Sequence, residues 1–146
     1  MNEGPTVVSY SGGTPTVTGT VTLFDSTVAF PPGGSFHLLR QQWFQFSLGI
    51  GSAGGTGTGT INGQYSIDKG VTWRTFYVAT NADGTTAAPV FTEDEVYVGQ
   101  FKDIRFQYVN AVEVPTVFEV QLTLNRDKAK SKVLATEVLQ AGGALT

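Results

Sequence analysis

Residues 64–78 read QYSIDKGVTWRTFYV. Aromatic and β-branched residues flank a short polar centre, Asp68, Lys69 and Gly70. An aspartate can bond the backbone amides of such a turn, and a glycine can take the positive φ it needs. The pattern predicts a β-hairpin, with one strand ending near Ile67, a tight turn at 68–70, and a second strand over 71–80.

The same alternation spreads outward from the hairpin. Towards the N-terminus, Phe44, Phe46, Leu48 and Ile50 share one face of a strand, opposite Trp43, Gln45 and Ser47. That apolar run begins at Phe36, and its break at 40–42 implies either a bulge or two consecutive strands. Residues 51–59, GSAGGTGTG, are a flexible loop. Val17, Gly19, Val21 and Leu23 alternate with threonines from Thr16 on, which predicts a half-buried strand. A second short strand is expected over 26–30, before PPGG at 31–34 breaks the chain. Beyond the hairpin, a turn at 81–84 and a loop through Pro89 lead to the acidic trio Glu93, Asp94 and Glu95. Further strands follow at 96–101, 104–111 and 117–125. In the last of these, Phe118, Val120, Leu122 and Leu124 form the core face.

Eight or nine short strands with no convincing helix before residue 130 predict an all-β fold. The expected architecture is an antiparallel two-sheet sandwich with jelly-roll connectivity. The 146 residues suffice for one cored domain without metals or disulfides. Its expected extent is 16–125, between an N-terminal arm at 1–15, with a brief extended piece at 7–10, and a basic C-terminal arm at 126–146.

Ser66, Asp68, Gly70, Thr72 and Trp73 spell S-x-D-x-G-x-T-W. This is similar to the Asp-box, the hairpin repeat of sialidases and related propellers. The resemblance implies that Ser66, Asp68, Gly70 and Trp73 build a structural turn, with Asp68 bonded to backbone amides and Trp73 packed in the core beside it. It carries no sialidase activity, because a propeller needs four or more four-stranded blades and this chain holds a single box.

Charged residues are only 14% of the chain, against roughly 25% in an average soluble protein, so much of the surface is neutral. Such a surface is easiest to understand if neighbours cover it. Residues 1–125 hold ten acids and five bases, whereas 126–146 hold four bases and two acids. Arg126, Lys128, Lys130 and Lys132 alternate with other residues, so an extended tail would present four positive charges on one side. Val133, Leu134, Val138 and Leu139 follow as apolar residues that need a partner surface. These eight are the candidate partner-binding residues. The body has no basic face, which argues against a nucleic-acid partner.

Enzymatic chemistry finds little foothold. The absence of cysteine excludes thiolate zinc sites and a cysteine nucleophile. His37, the only histidine, has no second imidazole to join and is expected to be structural or solvent-facing. No G-x-S-x-G elbow or P-loop is present. Asp83 with Glu93, Asp94 and Glu95 would be a calcium candidate, but without EF-hand spacing a solvated acidic loop is the expectation. No metal, cofactor or catalytic residue is therefore assigned. Trp43, Trp73, Tyr65 and Tyr77 raise the alternative of an aromatic platform for sugars. No secretory signal is read in MNEGPTVVSY, and no run approaches the ~18 apolar residues of a membrane span.

In overall style, one compact β-domain with few charges, Gly/Thr-rich strands and extended ends, the chain resembles small auxiliary capsid proteins of tailed phages. That resemblance implies a non-enzymatic decoration or cement protein on the virion surface, made in a host cytoplasm. It would bridge neighbouring capsomers and contact the major capsid protein and copies of itself as a dimer or trimer. The alternative expectation is a carbohydrate- or receptor-binding module of a phage tail or fibre.

Overall fold

The computed structural model describes residues 6–8, 10, 12–29 and 42–126. Among these described residues, nine strands and one helical turn follow in order: β1 (Thr6–Val8), β2 (Gly19–Asp25), α1 (Ser26–Ala29), β3 (Trp43–Ser52), β4 (Thr58–Ser66), β5 (Arg74–Ala82), β6 (Gly84–Thr85), β7 (Val90–Tyr97), β8 (Asp103–Asn110) and β9 (Pro115–Asn125). The expected all-β class and two antiparallel-rich sheets are what is found. One sheet has the order β1-β9-β3, with β7 and the two-residue β6 sharing the far edge of β3. The other has the order β2-β8-β4-β5.

The pairings nest. β4 pairs with β5, β3 with β7, β2 with β8 and β1 with β9, all antiparallel. The 64–78 hairpin is therefore the tip of a single long hairpin folded over on itself. Two further pairings, β3 with β9 and β4 with β8, close the two sheets.

The core lies between the sheets. Phe44, Phe46, Leu48 and Ile50 of β3 are buried, as their alternation predicts. The register sets them opposite Leu124, Leu122, Val120 and Phe118 of β9. From the other sheet Ile61, Ile104, Phe106 and Tyr108 meet them, and the Phe44 and Phe106 rings stack at 4.1 Å. Close approach fixes some small residues: a Cβ on Gly59 would run into the buried Tyr108 ring.

Several local expectations are corrected. The strand expected from Thr16 starts at Gly19, and Val17 is exposed. A bulge between Thr22 and Phe24 lets both Leu23 and Phe24 point into the core. Instead of a strand over 26–30, Ser26–Ala29 forms one helical turn. Asp25 caps it by accepting the Thr27 amide at 2.9 Å. The buried Ser26 hydroxyl donates to Asp103 and accepts the Ile104 amide, each at 2.9 Å, and so ties the turn to β8. The glycine loop is shorter than read, because β3 runs on to Ser52 and β4 begins at Thr58. The hairpin's second strand starts at Arg74, three residues later than expected. The acidic trio lies in β7, within a strand and not a loop.

Candidate functional site

The hairpin turn is built by two side chains. Ser66, buried at the end of β4, donates its hydroxyl to the Asp68 carboxylate at 2.7 Å. Its oxygen accepts the Gly70 amide at 2.9 Å and the Asp68 amide at 3.3 Å. Asp68 in turn accepts the Thr72 amide at 2.8 Å. These bonds favour the carboxylate, first through Ser66 and then through Thr72, and hold the Asp68 pKa down at about 2. Lys69 and Gly70 take the positive φ values, 58° and 88°. Trp73 lies beside this turn, but half-buried and not among the core residues. The Arg105 guanidinium sits 4.5 Å from its ring centroid, while the Arg105 Nε donates to Gln64 at 2.6 Å.

Outside the core, the two sheets present opposite chemistries. The outer face of the β2-β8-β4-β5 sheet is centred on Thr20, Thr22, Thr60, Asn62, Val78, Thr80, Gln107 and Val109, which the register sets side by side. None of these is charged, and Val78 is 61% exposed. The other sheet's outer face carries Glu93, Glu95 and Glu119 around Gln45, Ser47 and Gly49 of β3. No lysine or arginine occurs in 45–49, 91–95 or 119–123. Ser47, Phe91, Glu93, Glu119 and Gln121 line an open groove of about 670 Å³ there. Phe91 is half-exposed and lies over Gly49, where a Cβ would meet its ring.

The acids weighed for calcium do not converge. Glu93 is exposed and Glu95 buried on the outer face, Asp94 faces Tyr77, and Asp83 is buried elsewhere. Among the described residues no three metal-ligating side chains cluster. Asp83 accepts the Tyr108 hydroxyl at 3.1 Å and the Asn110 side-chain amide at 3.2 Å. Burial, more than the nearby carboxylate, pushes the Tyr108 pKa up to about 12. Tyr77 donates to Asp94 at 2.6 Å across the gap between the sheets, and its pKa is raised, chiefly by burial.

The four aromatics considered as a sugar platform are also separate. Trp43 pairs edge-on with Tyr97 at 5.2 Å on the acidic face. Trp73 flanks the hairpin turn, Tyr65 stacks on Phe101 at 4.6 Å, and Tyr77 reaches towards the core.

Glu113 escaped the sequence reading. Its carboxylate accepts the Ser52 hydroxyl and, at 3.1 Å, the Gly54 amide, fastening the glycine loop to the β8–β9 connection. These bonds, led by Ser52, lower its pKa. The available signal was Asn110, three residues before it, whose side-chain oxygen accepts the Val112 and Glu113 amides as an Asx-type turn.

Of the candidate partner-binding residues, Arg126 is exposed immediately after β9. Lys128, Lys130, Lys132, Val133, Leu134, Val138 and Leu139 lie outside the described residues, as does His37. No helix among the described residues is long and apolar enough to cross a membrane. Comparison of the chain with protein-family profiles, curated proteins and solved structures returned no match.

Proposed function

We propose that this chain is a non-enzymatic structural protein of a virus particle, a head decoration or cement protein that bridges neighbouring capsomers. The observation that carries the reading is the uncharged centre of the outer face of the β2-β8-β4-β5 sheet, with Arg105 towards the hairpin end. Four strands wide and about five residues long, this patch covers roughly 300 Å² in projection, more than a third of the ~800 Å² per partner of a standard interface. Interface cores are depleted of charge in the same way. The nested pairing of β1 with β9, β2 with β8, β3 with β7 and β4 with β5 supports jelly-roll connectivity, an architecture widely used in capsids. The acidic body and basic tail favour contact between copies, as a dimer or trimer on the virion surface, beside the major capsid protein.

Introducing charge into this face tests the reading. Thr60→Glu with Val78→Glu should lower occupancy on particles stripped of the native protein by about tenfold or more. Thermal stability should stay within a few degrees of the parent, since both side chains point outward. Unchanged occupancy would remove this face from the contact.

The Trp43–Tyr97 pair favours the second reading, a carbohydrate- or receptor-binding module of a tail or fibre. Tryptophan fluorescence that shifts with a glycan, and loses the shift in Trp43→Ala, would move the function there. A flat response across a broad glycan panel would count against it.

A further inference from the structure

We infer that the acidic groove on the outer face of β3, β7 and β9 is the receiving site for the basic C-terminal segment of a second copy. This deepens the copy-to-copy contact proposed above but does not rest on the particle reading, and its test uses purified protein alone.

Three features converge on that occupant. Glu93 and Glu119 are exposed on the groove rim, and no cation lies in the strand segments around them. The chain leaving β9 supplies the opposite charge, with Lys128, Lys130 and Lys132 spaced for one side of an extended segment. Apolar residues follow those lysines, Val133 and Leu134 first, and the groove offers the half-exposed ring of Phe91.

Register argues for a second copy over the chain's own tail. Asn125, at the exit, is level with Trp43, whereas Glu93 is level with Ser47 and Glu119 with Gly49. The tail would have to run back ~13 Å to reach its own Glu93 and ~20 Å to reach Glu119. Lys128 is only three residues past Asn125, so the reversal would have to occur at once. Even with the bend at Arg126, three residues span ~10 Å at most, short of both distances for Lys128, whereas the groove of another molecule carries no such limit.

The test mixes full-length ¹⁴N- and ¹⁵N-labelled protein at high salt, dialyses to low salt, and applies a zero-length carbodiimide cross-linker. Mass spectrometry should find Lys128, Lys130 or Lys132 joined to Glu93 or Glu119, with mixed-isotope pairs as abundant as same-isotope pairs. Self-association measured by sedimentation equilibrium should weaken about tenfold in Glu93→Lys/Glu119→Lys at low salt, where surface charges are least screened. Adding Lys128→Glu, Lys130→Glu and Lys132→Glu to that variant should restore both association and salt dependence, which also shows that the altered sheet is folded. Same-isotope links alone, no links to these glutamates, a monomer at every concentration, or failure of the charge swap to restore association would each overturn the inference.

Discussion

Ser66→Ala strikes the tip of the nested hairpin and tests whether folding starts there. The substitution removes the hydroxyl that donates to Asp68 and accepts the Gly70 and Asp68 amides. Ser66 is 1% exposed, so water cannot readily replace those bonds. One bond involves a carboxylate and two amides lose their acceptor, which together cost about 2–3 kcal/mol. For a chain of this size that lowers Tm by about 5–10 °C. The kinetics are more discriminating. Strands β4 and β5 are joined by a short loop, whereas β1 and β9 are brought together only after almost the whole chain has been folded back. Loop-closure entropy therefore favours the hairpin tip as the first pairing. A φ-value near 0.7 would slow folding about twentyfold and change unfolding only a few-fold. Stopped-flow urea chevrons measure both limbs. If the loss falls on the unfolding limb, with φ below about 0.3, the hairpin is not the organising element and the reasoning fails.

Other perturbations address the core and the turn. Phe106→Ala removes a fully buried ring stacked on Phe44 and should cost about 3–5 kcal/mol in equilibrium urea unfolding. A loss under 1 kcal/mol would mean the two sheets do not meet at that contact. Gly59→Ala should cost about 1–3 kcal/mol, because its Cβ meets the Tyr108 ring within a packed sheet, and the same substitution should cost less in a Tyr108→Leu background in the same assay. The folded-state pKa of Asp68, about 2, lies below its ordinary 3.8. Its ionised form therefore contributes stability above pH ~4 that is lost as pH falls towards 2. Asp68→Asn should flatten this part of the acid-unfolding curve, and an unchanged curve would show that the turn does not hold the carboxylate ionised.

The parts legible in the sequence are those with local causes. Phe44, Phe46, Leu48 and Ile50 announce a one-sided strand, and Ser66, Asp68 and Gly70 announce the turn that ends β4. The acidic trio was misread because the inward positions of β7 are partly polar. Thr92 bonds Asn81 and Asp94 accepts from Tyr77, both across the gap between the sheets, and sequence shows no such partner. The bulge that buries Leu23 and Phe24 together breaks the period-two pattern. Ser26 has β-favouring Thr27 and Val28 beside it, but its hydroxyl is bonded to a residue of β8 far along the chain. The basic stripe was visible as spacing. The acidic groove was not, because Glu93 and Glu119 become neighbours only when β7 and β9 flank β3.

The proposal that this protein is a virion component is tested most directly by sedimentation from the native source, with immunodetection across the gradient. Co-migration with megadalton particles, in amounts comparable to the shell protein, is the expected result. Protein that remained at the top of the gradient, with particles present below, would contradict it.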